Sequence, residues 1–125
     1  MESLLIKEID GVLYINATPN DIYFEHESEV IELPQSGYII NAYMQETTVK
    51  YSNGIEFVRE KFIKDKEGTV FLKRIKEDYP NSIVIGSIIA AQAYPGEVAA
   101  LTPCKICNDI SHSEKRMNID KFLIY

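Results

Sequence analysis

GTVFLKRIKEDYPNSIVIGSIIAAQAYPGEVAALTP (68–103) changes its hydrophobic period three times, and those changes decide the fold class. Phe71, Leu72, Ile75 and Tyr79 recur at helical spacing while Lys73, Arg74, Lys76, Glu77 and Asp78 take the opposite face. This predicts a helix over 69–79, with Asp65 and Gly68 as start signals and Pro80-Asn81 as its end. Ile83-Val84-Ile85 is β-branched and apolar, as a buried strand requires. Gly86-Ser87 supplies a turn with Ser87 as N-cap, residues 88–93 suit a short packed helix, and Pro95-Gly96 must stop it. A last core strand is expected over 98–102, completing a strand–helix–strand element.

Upstream, the period is two. Residues 4–9 and 12–17 flank Asp10-Gly11, a tight-turn signal, because glycine accepts the positive φ of a primed turn. Thr18-Pro19-Asn20-Asp21 marks a second reversal. Residues 22–25 and 29–33 read as a third and fourth strand, and Pro34-Gln35-Ser36-Gly37 breaks the chain again. An extended run from Tyr38 to Val49 then meets Ser52-Asn53-Gly54 and a further strand, on which Ile55, Phe57, Arg59 and Lys61 share one face. Val58, Phe62, Glu56 and Glu60 share the other. Neither face is cleanly polar, which fits a strand pair covered by another subunit.

The chain has 125 residues, 46% hydrophobic and 26% charged, with eight tyrosines and no tryptophan. That length buries one core, so a single domain over 1–125 is expected. The formal charge of −6 argues against a binder of nucleic-acid polymers, which needs a basic face across many phosphates. A single small anion needs only two or three cations, and these come in clusters: Arg59 and Lys61; Lys73, Arg74 and Lys76; Lys115, Arg116 and Lys121. MESLLIKEIDG lacks the basic start and long apolar centre of a signal peptide, and the apolar run 83–94 is too short to span a bilayer. A cytoplasmic protein with no membrane partner is expected.

Cys104-Lys105-Ile106-Cys107, with His112 behind it, has too few companions for a closed zinc site, so the cysteines read as reduced loop thiols and no metal is assigned. No nucleophile elbow and no phosphate-cradling glycine loop appears, and both histidines lie in polar, loop-like segments, so neither a catalytic residue nor a cofactor is assigned. What remains is a set of binding residues. Phe71 offers an aromatic face, Asn81 a donor and an acceptor at the exit of the same helix, and Arg59 or Arg116 a fork suited to phosphate oxygens. Each also has a plainer reading: Phe71 as core, Asn81 as a turn residue and EKRMNIDK (114–121) as a solvated terminal segment.

YINATPNDI (14–22), LPQSG (33–37), the Asn-Gly hairpin, SIVIGSIIAAQAYPG (82–96) and EKRMNIDKF (114–122) together resemble a group of small phage and prophage proteins. They are similar to the first type of Thoeris anti-defence protein, the sponges that sequester the cyclic ADP-ribose signal of bacterial TIR-domain immune proteins. The resemblance covers most of the chain from about Tyr14 onward, but not Cys104-Lys105-Ile106-Cys107 or the loop around Asn108 to His112. It implies an α+β fold of mainly antiparallel sheet decorated with two short helices. It also implies a homodimer that can assemble into a hexamer, and a ligand pocket lined by a Phe and an Asn ten residues apart with arginines partly from a neighbouring subunit. Phe71 and Asn81 have that spacing, Arg116 with Lys115 lies in the terminal motif, and Arg59 follows.

The function so implied is binding of glycocyclic ADP-ribose without cleavage, in the cytoplasm of the infected host cell. Some members also hold cyclic oligonucleotides at a second site. The rival readings are a small enzyme that degrades a cyclic nucleotide signal, and a phage structural or interaction protein.

Overall fold

The computed structural model describes residues 4–104 and 115–125. It is an α+β fold in which, among the described residues, nine strands form three sheets and two helices cover one of them. Strands β1 (Lys7–Ile9) and β2 (Val12–Asn16) pair antiparallel across Asp10-Gly11, whose φ values of 50° and 81° are those of the primed turn expected there. Strands β3 (Ile22–His26) and β4 (Glu29–Leu33) make a second hairpin. Its turn is tight but has no glycine: Glu27 and Ser28 both take positive φ, at 51° and 69°. Strands β5 (Ala42–Ser52) and β6 (Ile55–Lys64) form a long ribbon of their own across Asn53-Gly54.

Helix α1 spans Lys66–Asp78, three residues longer at its start than the periodicity predicts, because Lys66 and Glu67 add a polar first turn. Strand β7 (Ile83–Ile85) follows, then helix α2 (Ile88–Ala93), capped as expected by Ser87, whose Oγ accepts the Ala90 N–H at 3.1 Å. Strand β8 (Ala100–Pro103) begins slightly later than expected, Ala99 making only a parallel bridge to Ile85. The segment read as a solvated tail is a strand, β9 (Met117–Leu123), lying parallel to β3 and antiparallel to β8.

Sheet order β1-β2-β7 forms the middle layer. Alternation along its strands sends Ile15 and Val84 into a cluster with the helices, where they meet Phe71, Leu72, Ile75, Ala90, Ala91 and Tyr94. Tyr14 and Ile85 point the other way, toward the sheet β4-β3-β9-β8, and join Ile22, Phe24 and Leu33. Tyr14, Phe24 and Phe122 form a ring triad there, with centroid separations of 5.8, 6.2 and 6.4 Å. The Phe24–Phe122 contact is edge-on, the arrangement that aromatic quadrupoles prefer. The molecule is therefore three layers deep: helices, sheet, sheet.

The junction between the ribbon and α1 is held by a single phenol. Tyr94 Oη accepts the Asp65 N–H at 2.9 Å and donates to the Asp65 carbonyl at 2.7 Å, fixing the residue that precedes the helix. Its ring leaves room for nothing larger than glycine opposite, since a Cβ on Gly68 would sit 2.5 Å from the hydroxyl. Tyr94→Phe should lower unfolding free energy by about 1–2 kcal/mol, because the Asp65 N–H loses its acceptor in a half-buried site. The Asp65 carbonyl keeps the Thr69 N–H at 3.0 Å, which holds the cost there. Urea titration of the two proteins measures the difference, and an unchanged midpoint would show that the hydroxyl contributes nothing.

Candidate ligand-binding groove

The site grows from one buried amide. Asn16, the last residue of β2, is completely buried, and no apolar environment tolerates an amide without partners. Its Nδ2 donates to the carbonyls of Asn20 at 2.7 Å and Leu33 at 3.1 Å, and its Oδ1 accepts the Thr18 N–H at 3.0 Å. The Thr18 hydroxyl donates to the same Oδ1 at 2.6 Å. These bonds curl residues 17–20 into a fixed turn and tie it to the end of β4. Asp21 Oδ1 then accepts the Gln35 N–H at 3.0 Å, locking the next residue to the following loop.

This turn forms one wall of a groove of about 920 Å³. Gly86, Ser87 and Ile88, the residues between β7 and α2, form the facing wall, and Ala100 and Leu101 of β8 lie between them. Gly86 is required by packing rather than by its dihedrals: a Cβ there would come within 2.7 Å of Val98 Cγ1 and 3.2 Å of Ala90 Cβ. Because β2 and β7 run parallel, both walls spring from the carboxyl ends of adjacent strands. Diverging loops at that edge of a parallel pair are where α/β sheets characteristically take ligands.

Tyr23, Lys115 and Met117 complete the rim. The Arg116 guanidinium carbon lies 5.8 Å from the centre of the Tyr23 ring, a cation over an aromatic face. The Glu32 carboxylate, opposite Tyr23 in the β3–β4 pair, is the main cause that raises the phenol pKa, with burial and Asp21 adding and Arg116 opposing. Tyr23 is therefore a neutral hydrogen-bond donor at physiological pH. Chemically, the groove has mainly apolar walls, one lining cation in Lys115, one carboxylate and a phenol, with the Arg116 guanidinium against the phenol ring. It can hold a small anion with an apolar or aromatic body.

Of the residues expected to bind ligand, Lys115 lines the groove, and Arg116 does not line it but lies against the ring of the rim residue Tyr23. Phe71 does not line the groove. It is 3% exposed on the inner face of α1, and its ring stacks on Tyr38 at 4.2 Å and 10°. Asn81 is exposed in the turn after α1, and its neighbours Pro80 and Ser82 line a smaller recess of about 150 Å³ with Lys76, Tyr79 and Glu97. Arg59 is exposed on β6, opposite Thr47 in the ribbon.

The chain matches no family model, no curated protein and no solved structure.

Cys104 donates to Asn118 Oδ1 at 3.5 Å, while Cys107 and His112 lie outside the described residues. His26 Nε2 sits 2.6 Å from Asp10 Oδ2, clipping the first hairpin turn to the end of β3, which is a structural role. Among the described residues no three His, Cys, Asp or Glu side chains gather as a metal site, and no helix is long and apolar enough to cross a membrane.

The sequence reading missed Asn20, Asp21, Tyr23, Gln35 and Ser87 as groove residues, and Asn16 as the buried amide that holds their turn. A signal was available for one of them, since an asparagine in an otherwise apolar strand followed by Ala-Thr-Pro-Asn is a polar group with turn backbone close at hand.

Proposed function

We propose that the protein binds a small cyclic nucleotide of the cyclic ADP-ribose class and withholds it without cleaving it, so acting as a phage anti-defence sponge against TIR-derived signals. The observation that carries this reading is the groove itself. Its volume lies in the range of small-molecule sites, and its walls combine apolar surface with polar groups from Asn20, Asp21, Tyr23, Ser87 and Lys115. Lys115 and Arg116 meet the phosphates, and the Tyr23 hydroxyl and the Asn20–Asp21 turn meet the ribose and base edges. The resemblance of the sequence motifs supplies the ligand class.

A sponge needs affinity and slow release rather than transition-state stabilisation, so its residues have only to hold the ground state. Arg59 and Asn81 lie outside the groove of their own protomer, so in this reading they serve a ligand held between copies, in the homodimer or hexamer that the resemblance implies. Phe71 serves by holding α1 in place. Were a base to stack on it, Tyr38 would first have to leave.

Calorimetry with cyclic ADP-ribose and its glycocyclic isomers tests the proposal, followed by denaturation and mass spectrometry of the released ligand. Intact ligand recovered in stoichiometric amount is the expected result, and a hydrolysed product would replace the sponge by an enzyme. Arg116→Ala and Lys115→Ala should each weaken binding by about 1.5–3 kcal/mol, the worth of a charge-assisted hydrogen bond, with melting temperature nearly unchanged because both side chains sit at the surface rim. Unaltered affinity in both variants would remove the groove from the site.

A further inference from the structure

Asn53-Gly54, the one Asn-Gly pair in the sequence, closes the ribbon of β5 and β6 at its tip, where Ser52 pairs with Ile55. The ribbon is exposed along both strands, and a two-stranded ribbon in water is marginal, so its tip opens locally while the packed sheets stay closed. Asn53 and Gly54 are themselves exposed. Among the described residues nothing bonds to the Asn53 side-chain amide or to the Gly54 N–H. A Cβ built on Gly54 would meet no atom within 4 Å, so the space around its nitrogen is open.

The other described asparagines lack this combination. Asn16 is completely buried with its amide bonded at both ends, and Asn118 donates to the Thr102 hydroxyl at 2.9 Å. Asn20, Asn41 and Asn81 are exposed, but each precedes a residue whose Cβ crowds its own nitrogen. Asp10-Gly11 makes a similar turn with an acid in place of the amide. A carboxylate resists a nucleophile, and Asp10 Oδ2 is also held 2.6 Å from His26 Nε2.

We propose that Asn53 is a site of spontaneous self-modification, at which the chain exchanges an amide for an acid with water as the only co-reactant. The Gly54 nitrogen, having lost its proton to solvent, attacks Asn53 Cγ. The N–Cγ bond forms, the Cγ–Nδ2 bond breaks, and ammonia leaves with a proton taken from solvent. Water then opens the five-membered ring at either carbonyl. Opening at Cγ breaks the new bond and gives aspartate; opening at the main-chain carbonyl breaks the original peptide bond and gives isoaspartate. A closed turn holds the peptide away from the side chain, so ring formation draws on the opened tip.

The two products differ in what they do to the ribbon. Asp-Gly closes primed turns as Asn-Gly does, so aspartate keeps the hairpin and adds one negative charge to a chain of formal charge −6. Isoaspartate puts Cβ into the main chain, and loop length sets hairpin register, so the Ser52–Ile55 and Tyr51–Glu56 pairs no longer align. The site belongs to the ribbon alone and stands whether or not the groove takes a nucleotide.

Incubation of the folded full chain at several pH values, followed by isoelectric focusing and peptide mass mapping, tests the proposal. A species with one added negative charge should accumulate, faster as pH rises because the attacking nitrogen must lose its proton. It should map to Asn53 as a mixture of aspartate and isoaspartate while Asn20, Asn41 and Asn81 remain amides. The rate in the folded chain should lie within a few-fold of that in urea. Hydrogen exchange should show lost amide protection near residues 51–56 in the isoaspartate fraction and retained protection in Asn53→Asp. Conversion of another described asparagine first would overturn the proposal, as would an Asn53 that reacts in urea and survives in the folded chain. An isoaspartate fraction with a fully protected tip would overturn the effect on the ribbon.

Discussion

Phe71→Ala is expected to lower the free energy of unfolding by about 3–5 kcal/mol, since it empties a ring-sized volume in the helix-side core. The ring is almost wholly buried and stacked flat on Tyr38, so its removal withdraws the partner of a second aromatic as well as its own apolar area. Leu72 and Ile75 remain to hold α1, but Phe71 is the largest side chain that this helix inserts. Domains of this size have only about 5–15 kcal/mol in total, so the variant should melt far below the wild type. Phe71→Leu keeps most of the volume and should cost much less. Chemical denaturation of all three proteins orders them. A Phe71→Ala protein with wild-type stability that has lost ligand affinity would instead make this ring a ligand-facing one, with Tyr38 a movable cover.

Asn16→Ala should cost a similar amount, about 3–5 kcal/mol, through lost hydrogen bonds rather than lost volume. It strands the Thr18 N–H and withdraws the amide donor from the Leu33 and Asn20 carbonyls, the latter keeping the Thr18 hydroxyl at 2.9 Å, and each buried unsatisfied group costs about 1–3 kcal/mol. The consequence extends to the groove, because the same bonds shape its Thr18–Asp21 wall. Asn16→Asp should be worse at neutral pH: a carboxylate would aim an acceptor at two carbonyls that now receive donors. Burial and those carbonyls would raise the carboxyl pKa in the folded state above its unfolded value near 3.9. Stability of the Asp variant should therefore be greatest in acid and fall as pH rises through the raised folded-state pKa. Thermal melts from acid to neutral pH would show it, and an Asp variant as stable as wild type at neutral pH would deny Asn16 its donor role.

Local chemistry made part of this fold readable in advance. Asp10-Gly11 and Asn53-Gly54 announce primed turns because their backbone requirement is met by those residue types, and the helices follow from the periods of Phe71–Ile75 and of residues 88–93. The Glu27-Ser28 turn uses residues with no preference for positive φ, so only the pairing of the strands on either side enforces it. Strand β9 was hidden because its inward residues are Met117, Ile119 and Phe122, whose spacing breaks strict alternation, while Asp120 and Lys121 make the stretch look solvated.

The candidate site was legible only at Lys115 and Arg116, where cations cluster in sequence. Its remaining residues come from 18–23, Gln35, 86–88 and 100–101, which converge only because β2 and β7 lie parallel. A parallel pairing leaves no local mark in a sequence. Phe71 satisfied the expected spacing and also the helical stripe, and the structure places it with the stripe.

The parallel union of β3 with β9 also governs how the chain comes into being. Phe24 waits for Met117, so every residue between them must be synthesised before the second sheet can close. Until then the β3–β4 hairpin presents an unpaired backbone edge, the kind of surface through which incomplete chains find one another. Contacts so distant along the chain make folding slow compared with helical proteins of equal length. Acquisition of the native state is thus timed by the emergence of β9.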